Sequence, residues 1–168
     1  HPCSTVGYGT KGGAIEPMFG VVASLYSELP VRFANNRYEQ FQSGIKRHAF
    51  NMRYQLAVDK KSGKITSFIG NFVANGGGRC NYTPGVVAVG ATGVQGIYYI
   101  PKSDIIAEGI ASRAVDAGSV RGFGTLQSMT AFDSLLDEAA KILNQDPVQF
   151  RLNNLMQSGM KNTQGAIP

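Results

Sequence analysis

Ala117-Gly118-Ser119-Val120-Arg121-Gly122-Phe123-Gly124-Thr125 sets an arginine and a phenylalanine among three glycines, directly ahead of the most helix-like segment of the chain. Glycine admits positive φ and close backbone approach, so two bulky side chains in such a setting read as built features. The helix that follows has unpaired N–H groups in its first turn, where an anionic or carbonyl-bearing ligand can bind. A tight turn with Phe123 capping the core and Arg121 in solvent fits the same residues equally well.

Downstream, Leu126, Met129, Phe132, Leu136, Ala139 and Leu143 line one helical face while Asp133, Asp137 and Lys141 lie elsewhere. Asn144 stops this helix as a C-terminal cap would. Asp146-Pro147-Val148-Gln149 opens a further helix, with Asp146 as N-cap, Pro147 at the first position and Gln149 completing a capping box. Val148, Leu152 and Leu155 form its expected buried face.

Upstream, a second glycine-rich turn fills residues 4–13, Ser-Thr-Val-Gly-Tyr-Gly-Thr-Lys-Gly-Gly. Ile15, Met18, Phe19, Val22, Leu25 and Tyr26 then recur at helical spacing. Pro17 is tolerable only in a first turn, which starts this helix at the glycine loop. It is not a phosphate-binding P-loop, because Lys11 is followed by Gly12 rather than Ser or Thr. Glu16 suits the positive end of that helix.

Between the two loops, Pro30–Phe33 reads as a short strand and Arg37–Gln42 as a short helix. Phe50, Met52, Tyr54, Leu56 and Val58 alternate as a half-buried strand does. The Ser62-Gly63 turn joins it to a partner running from Ile65 to Phe72. Asn75–Arg79 is a loop, and Pro84–Gly96 is apolar, glycine-broken and without a clear period. Tyr98–Pro101 and Asp104–Val115 read as one strand each. The sum is an α+β chain, a two-layer mixed sheet with helices on one face, with a loose tail over residues 158–168.

At 168 residues the chain has room for one domain with a sizeable core. Its net charge of +5 is scattered. Lys46-Arg47-His48 and Lys60-Lys61 are too short for a nucleic-acid footprint, and the balance suits an anionic cofactor or a partner subunit. No window approaches the ~20 apolar residues of a membrane span, and no signal segment opens the chain. Cys3 and Cys80 lack metal-site spacing; reduced thiols of a cytoplasmic protein are the default reading, and a disulfide between them is the alternative. Asn81-Tyr82-Thr83 matches a glycosylation acceptor without a secretory context. His48, with no acid or nucleophile placed beside it by spacing, reads as a structural strand-end histidine. The ends, His1 and Ile167-Pro168, suggest an excised piece.

Several of these stretches resemble, in order and nearly end to end, the molybdenum hydroxylases of the xanthine dehydrogenase and aldehyde oxidoreductase family. Val120-Arg121-Gly122-Phe123-Gly124 with Gln127 is similar to the family's Phe-Arg-Gly-Phe-Gly-x-Pro-Gln loop, Val120 and Leu126 replacing its first Phe and its Pro. Gly7-Tyr8-Gly9-Thr10-Lys11 resembles its Gly-Phe-Gly-Gly-Lys loop, Pro30-Val31-Arg32 its Arg-Pro-Val-Arg segment, and Arg47-His48-Ala49-Phe50 its Arg-His-Pro-Phe segment. Tyr98-Tyr99-Ile100-Pro101 resembles its Tyr-x-Ile-Pro stretch. Pro147 with Arg151-Leu152-Asn153-Asn154-Leu155 resembles its Pro-x-x-x-Arg-x-x-Asn-Leu helix.

The resemblance implies that residues 1–157 are part of the first half of a molybdopterin-binding domain. The cofactor would be molybdopterin, its cytosine dinucleotide form included. Tyr8, Gly9 and Arg121 would be cofactor-binding residues through their backbone, and Phe123 an aromatic wall for a planar substrate. The implied partners are the remainder of the molybdopterin subunit, iron–sulfur and FAD domains or subunits, and a small organic substrate. The implied reaction is hydroxylation of a carbon centre with water-derived oxygen. The family's catalytic glutamate belongs to the other half, so this chain would hold no catalytic residue and no metal-ligating side chain, and would be inactive alone. Gly12 and Val89 stand where purine-oxidising members carry a glutamate and a substrate-orienting arginine, which speaks against a purine substrate. From the residues alone, a non-catalytic anion- or nucleotide-binding module with glycine loops at helix N-termini is the other reading.

Overall fold

The alternation from Phe50 to Val58 and the Ser-Gly turn fold as the expected hairpin, in a computed structural model that describes residues 16–79 and 81–167, Glu16 by its backbone only. The helices are α1 Glu16–Ser24, α2 Arg37–Ser43, α3 Thr83–Gly93, α4 Thr125–Ile142 and α5 Pro147–Asn153. The strands are β1 Ala49–Val58, β2 Ile65–Asn75 and β3 Ser103–Ile110, in the sheet order β1-β2-β3. Tyr8, Gly9, Lys11, Gly12, Cys3 and Cys80 lie outside the described residues. Two compact units share the chain. One takes His1–Ala49, Asn75–Thr83 and Ile110–Arg121; the other takes Phe50–Ala74, Pro84–Gly109 and Gly122–Pro168.

In the second unit the hairpin turn is held by Asp59, whose carboxylate accepts from Ser62 N at 2.7 Å, Ser62 Oγ at 2.8 Å and Lys61 N at 3.1 Å. Those bonds, the Ser62 backbone first, hold its pKa below the ordinary carboxylate value. Phe68 N donates to Lys102 O at 2.9 Å, and in the other unit Gly76 N donates to Ile110 O at 2.8 Å. Donor and acceptor advance together along the chain, so β3 runs parallel to β2 with α3 in the crossover, and the sheet is mixed. The core comprises Ile65, Phe68, Val94, Tyr98, Ile100, Phe132, Leu136, Ala140 and Phe150. Phe132 of α4 meets Phe68 of β2 edge-on at 5.1 Å, a favoured aromatic geometry. Gly90 of α3 rests against Phe50 and Phe72. Both helices therefore cover the face that presents those rings, as expected.

Several assignments change. Pro84–Gly96, unassigned from sequence, is mostly α3. The Tyr98–Pro101 strand reduces to one bridge, Tyr98 with Leu155, because Pro101 has no N–H to continue a ladder. The Asp104–Val115 strand stops at Ile110, where its neighbour β2 has ended and Gly77, at φ 75°, turns away. On α4, Leu126 is 53% exposed, and the buried row is Ser128, Phe132, Leu136 and Ala140. Helix α5 has Asp146 and Pro147 at its start as expected, Asp146 Oδ1 accepting from Gln149 N at 2.9 Å. The Gln149 side chain turns instead to Asn153, so the capping box is half made. The buried residue of α5 is Phe150, while Val148 and Leu152 are exposed. A helix of two turns follows its largest ring into the core.

In the first unit α1 starts beside Pro17 as the sequence requires, and its apolar row is exposed, Met18 at 67% and Val22 at 53%, with Tyr26 in the turn that follows at 88%. Pro30–Phe33 is irregular rather than a strand, with the Phe33 ring against Phe19 at 5.8 Å. A capping box between Asn36 and Glu39 starts α2.

Candidate functional site

The loop around which the sequence is organised changes units between Arg121 and Gly122. In the second unit its turn has three successive positive φ values, Gly122 at 97°, Phe123 at 49° and Gly124 at 99°. For a phenylalanine this conformation is an outlier that the surroundings must enforce. Helix α3 supplies the enforcement. A Cβ on Gly124 would stand 2.3 Å from Val86 O, one on Gly85 would stand 3.1 Å from the Phe123 ring, and one on Gly93 would stand 2.4 Å from Thr125 Cγ2. The glycines of α3 thus form a seat for the turn, and Phe123 is half-buried on it. Thr125 N donates to Gly122 O at 2.8 Å, and α4 begins with Gly124 as an N-cap that has no side chain to offer.

In the first unit the lead-in to β1 lies along the start of the same loop. Lys46 N donates to Asp116 O and Gly118 N to Lys46 O, both at 3.0 Å, with Lys46 and Ala117 in a parallel bridge. A Cβ on Gly118 would meet Ile45 Cγ2 at 2.5 Å, so only glycine allows this approach. Arg47 Nη2 donates to Arg121 O at 2.9 Å. His48 is 2% exposed, and its Nε2 is 2.9 Å from Thr83 Oγ1. Burial lowers its pKa, partly offset by a backbone hydrogen bond with Gly118, so the ring stays neutral at pH 7 and acts structurally, as the sequence suggested. Asp116 draws in the Asn75–Arg79 loop by accepting from Gly78 N and Arg79 N, each at 3.0 Å, and pairing with Arg79 Nε.

The loop offers backbone donors. Arg121 and Gly122 are exposed, and neither N–H donates to an acceptor among the described residues. No three His, Cys, Asp or Glu side chains gather among the described residues either. Two parts of this arrangement went unread in the sequence. One is α3, although Thr83-Pro84 is a cap-then-proline start signal. The other is the contact of Arg47 with the Arg121 carbonyl, since the sequence placed Arg47 in a short basic run and in a family-like segment but gave it no partner.

Residues 6–155 match the model of the molybdopterin cofactor-binding domain. The chain is 29% identical over 157 residues to the xanthine dehydrogenase molybdenum-binding subunit of Escherichia coli O157:H7, covering 93% of this chain and 21% of that one. It is 27% identical over 161 residues to the aldehyde oxidoreductase of Megalodesulfovibrio gigas, covering 96% of this chain and 18% of the relative. Its structure is similar to the crystal structure of the aldehyde oxidoreductase from Desulfovibrio desulfuricans, with a TM-score of 0.84, 26% identity, and coverage of 96% of this chain and 18% of that one. The chain therefore spans about a fifth of the length of these relatives.

Proposed function

The chain belongs to the molybdopterin cofactor-binding domain family, and we propose that its Arg121–Gly124 turn is one wall of the cofactor site of a larger hydroxylase. The observation that carries this reading is that Arg121 and Gly122 are exposed and that neither N–H has an acceptor among the described residues. Such donors fit the oxygen atoms of an anionic cofactor, because a preorganised amide needs no reorientation when charge arrives. Arg121 adds a cation to the same stretch, and Tyr8 and Gly9 belong to the proposal as further backbone contacts.

When bound, the cofactor supplies the two-electron redox chemistry of carbon hydroxylation. This chain's residues bind and orient. The Arg121 and Gly122 amides would hold acceptor oxygens, and α3 seats the turn from Gly122 to Gly124. Phe123, half-buried on its α3 seat, would be the aromatic wall for a planar substrate. Residues 1–157 are the part of the domain engaged, and the remainder of the molybdopterin subunit contributes the base. Iron–sulfur clusters and FAD on other domains or subunits take the electrons, in a cytoplasmic enzyme; a small organic substrate other than a purine fits the missing polar contacts. The cofactor form includes the cytosine dinucleotide. Among the described residues no helix is long and apolar enough to cross a membrane.

Metal and pterin analysis of the full-length protein tests this reading: stoichiometric molybdenum with pterin is expected, and absence of both returns the chain to a non-catalytic anion- or nucleotide-binding module. For the substrate wall, Phe123→Ala is expected to cut turnover strongly at unchanged molybdenum content. Near-normal kcat/KM with a large fall in Tm would make Phe123 a packing residue only.

A further inference from the structure

We propose that Arg47 is a positioning residue for the cofactor-facing turn, setting the direction and donor strength of the Gly122 N–H through the Arg121 carbonyl. The peptide between Arg121 and Gly122 is planar and trans, so its C=O and N–H point in opposite directions. Arg47 Nη2 holds that oxygen at 2.9 Å. Fixing the oxygen fixes the line along which the Gly122 N–H points, and a guanidinium on the carbonyl polarises the peptide and sharpens its N–H as a donor. Arg47 itself has a rigid base. Its neighbour Lys46 is bonded through both backbone groups to residues 116 and 118, and its other neighbour His48 is buried against Thr83.

A packing role alone accounts poorly for this arginine. Among the described residues its buried Nη1 has no hydrogen-bond partner and no carboxylate pairs with it. An unmatched buried donor is destabilising, and an apolar side chain of similar length would fill the same space without it. The bond to the Arg121 carbonyl is what the guanidinium contributes.

The inference rests on the cofactor reading only for what the Gly122 N–H meets. Its test uses the full-length protein with Arg47→Met and Arg47→Lys. Hydrogen exchange of the Thr125 N–H, which donates to Gly122 O within the turn, is expected to speed up by about tenfold in Arg47→Met and less in Arg47→Lys. Cofactor retention is expected to fall by a similar factor, with Tm unchanged or raised. Unchanged exchange in the turn of either folded variant overturns the proposal, as does faster exchange spread evenly over the protein with a lowered Tm. Should the parent hold no molybdenum or pterin, the cofactor reading fails alone, and exchange in the turn still decides the role of Arg47.

Discussion

Phe132 and Phe19 look alike in the sequence, each an apolar residue in a regularly spaced helical row, and the molecule treats them oppositely. Phe132 of α4 is 1% exposed, edge-on to Phe68. Phe19 of α1 is 50% exposed and touches Phe33 at 5.8 Å. Helical period states which side chains share a face; it says nothing about what that face meets. In the second unit α4 meets β2 and α5, elements of its own unit. In the first, the row on α1 stays open, in a chain about a fifth as long as its relatives.

The largest expected effect follows from that contrast. Phe132→Ala is expected to lose ~3–5 kcal/mol, the range for a buried ring replaced by a cavity. Phe19→Ala is expected to stay within about 0.5 kcal/mol, as exposed substitutions do. Urea unfolding of both variants checks the pair. Equal losses would mean that α1 is packed in solution and would break the comparison.

A second pair sharpens it inside the second unit. Gly124 and Gly165 both have positive φ, 99° and 81°, so an added Cβ meets comparable backbone strain at each. They differ in surroundings: the Cβ at Gly124 runs into Val86 O at 2.3 Å, and the one at Gly165 meets nothing within 4 Å. Gly124→Ala should therefore cost ~1–3 kcal/mol more than Gly165→Ala, the range for overpacking. If the two Tm losses agree, α3 does not seat the turn.

Legibility in the sequence followed the same division between local rules and partners. The hairpin could be read because alternation and a Ser-Gly turn are properties of the strand itself. Asn144 could be read because an asparagine at φ 52° after a helix satisfies a local need. Helix α3 could not be read by period, because Gly85, Gly90 and Gly93 are there for what lies against them: Phe123, Phe50 with Phe72, and Thr125. Phe150 was passed over for Val148 and Leu152 because spacing cannot rank faces on so short a helix. In the candidate site the glycine-flanked Arg121 and Phe123 stood out by composition. Arg47 did not, since its contact with the Arg121 carbonyl joins residues far apart in the chain.

The smallest expected effect concerns a hydroxyl. Tyr54 of β1 meets Phe68 edge-on at 5.1 Å, and its buried OH has no hydrogen-bond partner among the described residues. Burial disfavours the phenolate and pushes its pKa up to about 12. The sign follows from linkage. Between pH 10 and 12 the unfolded chain releases this proton and the folded chain keeps it, so the stability present below pH 10 declines as pH rises through that window. Tyr54→Phe removes the unmet hydroxyl and the titration together. Stability at pH 7 should hold or rise by up to about 1 kcal/mol, and the loss above pH 10 should become shallower. It should not vanish, because burial and then Asp133 also raise the pKa of Tyr98. Tyr26, 88% exposed on the open side of the comparison, is the control, and Tyr26→Phe should leave stability at pH 7 unchanged. Urea titrations at pH 7 and pH 11 measure both. A clear loss at pH 7 in Tyr54→Phe would show that the hydroxyl is satisfied after all, for instance by a bound water, and that this part of the second unit is wetter than its packing implies.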